Sequence, residues 1–304
     1  MDVLADWVRI SGTSGVLLAR SRLGPPWGMG LDQQAQAMFH IVLEGSCWLR
    51  REGVAPLSLH QGDLVLLPHG SPHDLVDHPA GHAVPLATLL AHPPPPVVEG
   101  PAATIVCGAY RSDSHMAQPL LRALPEVVLF SASRVRANPP LAATLSLLTA
   151  ELERPEAGSE ALIQPLFDAL FVYVVRTWSA EAGATQGGWL TALKDSALSK
   201  ALSRMHAEPQ APWTVASLAH EASLSRAAFA RRFTEQVGEA PLAYLTRWRM
   251  GLAARLLRQT ENPVAEIATR VGYDSEFAFS RAFKRSRGVA PTIFRRAPSA
   301  LRDA

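Results

Sequence analysis

Two arginines occupy matched positions in two copies of one short motif near the C-terminus. Residues 218–222 align with residues 267–271, and Arg231 aligns with Arg281 after a turn that is one residue longer in the second copy. Each copy predicts a short helix, a tight turn and a longer helix, which is the layout of a helix-turn-helix. Arginine is the side chain that best forks onto guanine in the major groove. A lone arginine is usually a solvated surface residue, whereas two at matched positions indicate a protein that binds two stretches of one DNA face.

The phenylalanines of each copy predict which face of the longer helix is buried. Phe229 and Phe233 in the first copy, and Phe279 and Phe283 in the second, lie four residues apart and therefore share one face. The other face and the helix start are then open to a groove. The residues expected to contact DNA are Ser225, Arg226, Ala227, Ala230 and Arg231 in the first copy, and Ser275, Glu276, Phe277, Ser280, Arg281 and Lys284 in the second.

A predicted helix joins the two copies and sets the distance between them. It covers residues 242–259, which are 18 residues, or roughly 27 Å at 1.5 Å per residue. Successive major grooves on one face of DNA are roughly 34 Å apart. One chain is therefore expected to occupy two adjacent major grooves.

Charge is distributed unevenly along the chain. Residues 195–304 hold 17 Lys and Arg against 10 Asp and Glu, a net charge of +7, whereas residues 1–194 hold 12 against 17, a net charge of −5. A basic segment beside an acidic remainder indicates nucleic acid as the partner of the C-terminal third. Chance segregation of charge is the alternative that this observation alone leaves open.

The stretch from residue 195 to 296 resembles the DNA-binding domain of the AraC/XylS family of bacterial transcription regulators. The resemblance implies a seven-helix domain that binds double-stranded DNA and recruits or positions RNA polymerase. The matching residues are Ala227, Phe229, Arg231, Arg232, Phe233 and Gly238 in the first copy, and Gly272, Tyr273, Phe277, Phe279, Ser280, Arg281, Phe283, Lys284, Gly288, Pro291, Phe294 and Arg295 in the second.

The N-terminal part predicts a different architecture. Short apolar runs at 39–43 and 64–67, bounded by turn residues, predict strands, and residues 7–115 as a whole indicate a sandwich or small barrel. Apolar residues at three- and four-residue spacing then predict helices at 141–152 and 162–178. The proline run 93–96 is expected to form a surface loop, and residues 183–188 a linker. The predicted domains are residues 1–185 and 195–298.

A second resemblance concerns the predicted strands. Gly62, Pro68, Gly70 and His73 match the spacing G-x5-P-x-G-x2-H of the second cupin motif. The first cupin motif is broken, since Met38 stands where a glutamate is expected and residues 31–34 contain no histidine. The resemblance implies an α+β chain, in which an N-terminal cupin-like β-barrel with following helices precedes an all-α domain with two helix-turn-helix motifs. It implies a sensor domain without the usual metal site, so we expect no metal and no cofactor.

Four residues of the sensor domain carry chemistry. His40 and His73 are expected to point into the barrel and to face a small-molecule effector. Two alternatives remain open. The histidines are hydrogen-bonded pocket residues without a ligand, or they form a metal site together with Cys47 or Cys107. The two cysteines are candidates for redox sensing, although buried thiols are usually inert.

The predicted function is a sequence-specific, DNA-binding transcription regulator that responds to a small-molecule or redox signal. A metal-dependent cupin enzyme fused to a DNA-binding domain is the alternative, which the broken motif disfavours, and a purely architectural DNA binder would have little use for the barrel. A homodimer through residues 141–153 or 162–178 is expected if those helices do not merely cover the barrel. With no secretory signal and no apolar run of roughly 20 residues, we expect a cytoplasmic protein that does not enter a membrane.

Overall fold

The computed structural model describes residues 2–92, 94, 100–112, 116, 120–121, 123–181 and 189–296. The chain divides into two compact units, each assembled from separate stretches of sequence. The sheet unit comprises Ser14–Arg111 and Leu124–Glu181, and the helical unit comprises Met1–Thr13, Ser112–Ala123 and Ala182–Ala304. Domain boundaries at residues 185 and 195 stay a prediction.

The sheet unit contains ten strands and four helices among the described residues. The strands are β1 (Ser14–Leu23), β2 (Gly28–Leu31), β3 (Ala37–Glu44), β4 (Ser46–Arg51), β5 (Val54–His60), β6 (Leu64–Leu67), β7 (His73–Val76), β8 (Val84–Pro85), β9 (Ala103–Arg111) and β10 (Val128–Phe130). The helices are α2 (Leu86–Ala91), α3 (Ala132–Arg136), α4 (Pro139–Glu153) and α5 (Ser159–Glu181).

The helical unit contains nine helices among the described residues. They are α1 (Val3–Ser11), α6 (Trp189–Lys194), α7 (Ser196–Ala207), α8 (Val215–Glu221), α9 (Arg226–Val237), α10 (Pro241–Gln259), α11 (Val264–Arg270), α12 (Glu276–Arg287) and α13 (Pro291–Arg296).

The strands form two five-stranded sheets with the orders β1-β9-β3-β6-β10 and β5-β4-β7-β2-β8. Every pairing is antiparallel except that of β2 with β8. Buried residues of both sheets form one apolar cluster, to which β3 and β9 contribute Val42 and Ile105, and β4 and β7 contribute Leu49 and Leu75. Over the described residues this is an open two-sheet form of the predicted cupin-like domain rather than a closed barrel.

The helices predicted after the strands are confirmed as α4 and α5, with the break at 154–158. By length and composition alone α5 would suffice to cross a membrane, and in this structure it packs on β1 and α4. The backbone N–H of Gly15 in β1 donates to Asp168 Oδ1 at 2.7 Å. A Cβ at Gly15 would lie 2.2 Å from the Cβ of Phe167, so the helix and the strand approach each other as closely as glycine permits.

Two predicted loops fall largely outside the described residues. Of the proline run 93–96 only Pro94 is described, and it lies exposed without regular structure. The predicted linker 183–188 lies wholly outside the described residues.

The start of the chain corrects the prediction of β structure from residue 7 onwards. Residues 3–11 form α1, because Asp2 caps the helix by accepting from the N–H of Ala5 at 3.0 Å and Gly12 ends it at φ +59°. Its apolar stripe packs within the helical unit, where Trp7 lies against Trp189 with ring centroids 5.9 Å apart. The indole N–H of Trp7 donates to the carbonyl of Met116 at 3.1 Å.

The helix α10 belongs to the cores of both helix-turn-helix motifs. Near its start, Tyr244 packs edge-on against Phe233 of α9, with centroids 5.7 Å apart. In its second half, Met250 and Leu257 belong to the buried cluster that contains Phe279 and Phe283 of α12. The helix has 19 residues, so it is roughly 28 Å long. One rigid element therefore sets the spacing of the two motifs.

Arg249 of α10 fixes the turn of the second motif. Its guanidinium donates to the carbonyl of Pro209 at 2.7 Å and to that of Ala211 at 2.9 Å. Gly272, in the turn between α11 and α12, has φ +81°, and a Cβ there would lie 2.7 Å from Nη2 of Arg249 and 2.9 Å from Cα of Gln210. The loop before α8 and the turn before α12 thus pack against the same guanidinium.

Replacing Gly272 by Ala should lower the stability of the helical unit more than the same change at Gly288. Both glycines are in the left-handed region, but at Gly288, with φ +75°, a Cβ would meet nothing within 4 Å. Gly288→Ala should therefore cost only the backbone strain, about 1–2 kcal/mol, whereas Gly272→Ala must in addition displace Arg249 and the 209–211 loop. Urea unfolding of the two variants measures the difference. Equal losses of unfolding free energy would contradict the close packing of Gly272 against Arg249.

Candidate functional site

The two predicted recognition helices, α9 and α12, begin in the same way. Ser225 caps α9 by accepting from the N–H of Ala228 at 3.3 Å, and Ser275 caps α12 by accepting from Ala278 at 3.2 Å. Each helix is anchored by two phenylalanines that are fully buried, as the sequence predicts: Phe229, Phe233, Phe279 and Phe283.

The turns that precede these helices begin alike. The N–H of Leu224 donates to the carbonyl of Ala219 in the first motif, and that of Tyr273 to Ala268 in the second, both at 2.9 Å. The residue before each donor is left-handed, with φ +54° at Ser223 and +81° at Gly272. The second turn then runs one residue further before its serine cap, as the sequence alignment of the two copies predicts.

None of the residues predicted to contact DNA lies in the core. Nine are exposed, and the two small ones on the flank, Ala230 and Ser280, are half-buried. Those exposed are Ser225, Arg226, Ala227, Arg231, Ser275, Glu276, Phe277, Arg281 and Lys284. Nine of the eleven predicted contacts are thus open to solvent, at the helix starts or further along the helices.

The matched arginines are held by different neighbours. Nε of Arg231 lies 4.0 Å from Oε1 of Glu235, one turn further along α9. The guanidinium carbon of Arg281 lies 5.7 Å from the ring centroid of Phe277, one turn earlier in α12. Both guanidinium groups remain exposed and free to meet a base edge or a phosphate.

The structure adds two findings about basic residues of α9 and α12 to the set predicted from the sequence. Arg232, which follows Arg231, forms an ion pair within the helical unit. Its Nε lies 2.6 Å from Oδ2 of Asp195, whose side chain is buried at the start of α7. Arg285 is not among the residues that the sequence predicts to contact DNA, yet it is exposed next to Lys284 in the last turn of α12. The signal for it was the run of positive charge from Arg281 to Arg287.

In the sheet unit the structure brings His40, His73 and Cys107 together. His40 Nδ1 lies 3.1 Å from Cys107 Sγ, and His40 Nε2 lies 2.7 Å from His73 Nε2. His73 Nδ1 lies 2.7 Å from the carbonyl oxygen of Ser71. His40 and Cys107 are directly paired residues of β3 and β9, and all three side chains are buried.

Burial determines where the protons of this cluster lie. Desolvation lowers the pKa of His40 well below its usual value, with the charge of His73 as a second cause, and desolvation also lowers the pKa of His73. Both rings are therefore neutral at pH 7. Because a carbonyl only accepts, His73 Nδ1–H donates to Ser71, His40 Nε2–H donates to His73, and the Cys107 thiol donates to His40.

This arrangement does not suit the metal that cupins usually hold. Both ring nitrogens of His40 are engaged by protein groups, and its Nε2 faces that of His73 at hydrogen-bond distance. Among the residues that the structure describes, no three His, Cys, Asp or Glu side chains are grouped so that they could hold a metal ion.

The cysteines are both buried and unpaired with each other. Burial raises the pKa of the Cys47 thiol to about 12, with Asp63 adding to the effect, and burial likewise raises that of Cys107 to about 12, with Cys47 adding to it. Thiolate is the reactive form of cysteine. In this conformation both thiols are therefore protected from oxidants.

Two of the cavities on the described part of the sheet unit bear on the predicted sensor site. One, of about 510 Å³, is lined by His73 together with Arg50, Arg51, Glu52, Ser71, Pro72 and Asp74. The other, of about 760 Å³, is lined chiefly by residues 22–28, including Trp27, and does not include His40 or His73. Of these two, the first reaches the buried polar cluster.

Two family models match the chain. A cupin model matches residues 2–180, and a helix-turn-helix domain model matches residues 218–297. The DNA-binding domain of AdpA, solved in complex with a target DNA, is 33% identical over 35% of this chain and 95% of that one, with a TM-score of 0.33.

Several curated relatives are similar over nearly the whole chain. A putative AraC-like transcription regulator of Streptomyces lividans is 33% identical over 98% of this chain and 99% of its own length. The transcriptional regulator AlkR of Acinetobacter baylyi is 32% identical over 88% and 90%. The RCS-specific transcriptional activator RclR of Escherichia coli is 30% identical over 97% of each chain. The chain belongs to the AraC-like family of DNA-binding transcription regulators, with an N-terminal cupin-like domain.

Proposed function

We propose that this regulator reads a two-part operator, with α9 in one major groove and α12 in the next. The observation that carries the proposal is the matched pair of exposed arginines, Arg231 and Arg281, on two helices that both begin at a serine cap. Each arginine is then expected to fork onto a guanine. Lys284 and Arg285, which are exposed at the end of α12, are expected to contact phosphate.

An enzymatic role is the second candidate, and no observation favours it. A catalytic cupin would use its histidines on a metal, and here they hydrogen bond to each other, to Cys107 and to the backbone. The full-length relatives are named as transcription regulators. We therefore propose that the chain is not an enzyme.

Replacing either arginine should affect one half of the operator only. Arg281→Ala is expected to weaken operator binding by about 1–3 kcal/mol and to relax base preference in one half-site. Arg231→Ala should do the same in the other half-site, roughly one helical turn away. Footprinting of both variants on one operator measures this.

The control for these variants is Lys284→Ala. As a phosphate contact, Lys284 should contribute equally to all sequences, so its loss should reduce the salt dependence of binding without changing base preference. Uniform weakening of both half-sites by Arg231→Ala and Arg281→Ala alike would mean that the arginines touch only the backbone. No binding of the wild-type chain to DNA would overturn the proposed function itself.

For the sensor we propose a small-molecule effector that enters the cavity beside His73. Binding there would act on His73, then on His40 and on Cys107 of β9, because the three side chains form one hydrogen-bonded series. A redox signal through Cys47 or Cys107 is the alternative. The raised pKa values of both thiols weigh against it.

Two variants separate these signals. His73→Ala should abolish the transcriptional response of a reporter that carries the chain's own operator, while DNA affinity of the purified protein stays nearly unchanged. Cys47→Ala, which leaves the histidine series intact, should still respond. The opposite outcome, a responsive His73→Ala and an unresponsive Cys47→Ala, would replace the effector model by a redox model.

We further propose that the regulator acts in the cytoplasm, cooperates with RNA polymerase and forms a homodimer through α4 or α5. Leu147 of α4 and Leu162 of α5 remain 58% and 49% exposed. These apolar side chains are therefore available to a second copy of the chain. Leu147→Glu should then weaken a dimer that sedimentation detects for the wild-type chain. A wild-type chain that stays monomeric at high concentration would contradict the dimer.

A further inference from the structure

Phe277 is the most exposed of the large apolar side chains in the described residues, with 72% of its surface accessible. It is the second residue of α12, directly after Glu276 and the cap Ser275. The first turn of the second helix is the part of a helix-turn-helix that reaches base edges. An apolar ring in that place lies on a helix that is otherwise rich in arginine and lysine, and among the described residues its ring contact is with Arg281.

The matched position in α9 is a small residue, Ala227. There, Arg231 has Glu235 as its neighbour in the next turn, but the residue that corresponds to Glu235 in α12 is Arg285, which repels a second guanidinium. Arg281 instead lies over the ring of Phe277 at 5.7 Å. A cation over an aromatic face uses the face of the ring and leaves the N–H edge of the guanidinium free to donate. The ring thus orients Arg281 without competing for its donors.

The chemistry of the major groove identifies what such a ring recognises. The one apolar group that the standard bases present there is the 5-methyl group of thymine, and guanine offers the two acceptors that arginine prefers. Residues four apart on a helix are separated by roughly 6 Å, whereas stacked bases lie roughly 3.4 Å apart. The two side chains therefore span neighbouring or next-neighbouring base pairs.

We propose that Phe277 and Arg281 act as one reader, in which Phe277 packs on the 5-methyl group of a thymine while Arg281 binds a guanine one or two base pairs away. This inference rests on the proposed function, since it assumes that α12 enters a major groove. It assigns α12 an apolar specificity that α9, with Ala227 at the matched position, lacks.

The test removes the methyl group from the DNA rather than the ring from the protein. An operator is selected from random DNA with the full-length chain, and each thymine is replaced in turn by deoxyuridine, which lacks only the methyl group. At one thymine of the half-site that Arg281 protects, the replacement should weaken binding about fourfold, the effect of leaving one methyl group unburied. Cytosine at that position should bind more weakly than 5-methylcytosine, which carries the same methyl group.

The Phe277→Ala variant tests the same contact from the protein side, and together with the deoxyuridine operator it forms a double-mutant cycle. It should bind the thymine and deoxyuridine operators with equal affinity, and it should also relax the preference for guanine, because Arg281 loses the ring beneath it. A highly exposed position tolerates alanine, a strong helix former, so the fold is retained. The matched control is Ala227→Phe in α9, which should create a new sensitivity to thymine methyl groups in the other half-site.

The outcomes are distinguishable from failure of the proposed function. If the wild-type chain selects no operator, the proposed function fails first. If it selects one but every deoxyuridine operator binds as tightly as the parent, the methyl reader is wrong. Loss of transcription by Phe277→Ala with unchanged affinity for both operators would likewise overturn it and would assign the exposed ring to a protein partner such as the polymerase.

Discussion

The helix α10 is the constraint on which the rest of the helical unit depends. Its first half packs on α9 through Tyr244, and its second half lies in the core of the second motif with Phe279 and Phe283. Arg249, midway along it, binds the loop before α8 and abuts the turn before α12. Since two side-chain clusters and one half-buried guanidinium all belong to one helix, the motifs cannot change their spacing without breaking a core. A fixed spacing is what a protein needs in order to bind two grooves with one chain.

On this common frame the two motifs differ in chemistry. Ala227 and Arg231 give α9 a flat, cationic surface, whereas Phe277 and Arg281 give α12 an apolar ring beside its cation. Both helices begin at a serine cap, and this difference lies in side chains at matched positions. In the sheet unit, the buried polar side chains of His40, His73 and Cys107 hydrogen bond to one another. Of these three, His73 also lines the cavity of about 510 Å³.

Much of the helical unit could be predicted from the sequence because its signals are local and repeated. The caps Ser225 and Ser275 and the phenylalanine anchors follow from helical spacing, and the juxtaposition of His40 with His73 follows from the cupin-like motif. The sequence carries local signals for the helix α1 in the caps Asp2 and Gly12, but the short helix directly precedes a strand, and its partners Trp189 and Met116 are far away in sequence. The packing of Phe277 with Arg281, and the commitment of Arg232 to Asp195, likewise depend on side-chain geometry that spacing alone does not determine.

The most direct test of the rigid two-motif account is the spacing of the half-sites in the DNA. Operators are compared in which five base pairs, about half a helical turn, are inserted between the half-sites contacted through Arg231 and Arg281. If α10 holds the motifs at one distance on one face, the insertion should reduce the affinity of the purified chain to that of a single half-site. Unchanged affinity for the operator with five additional base pairs would contradict the account, because it would require the two motifs to move independently of each other.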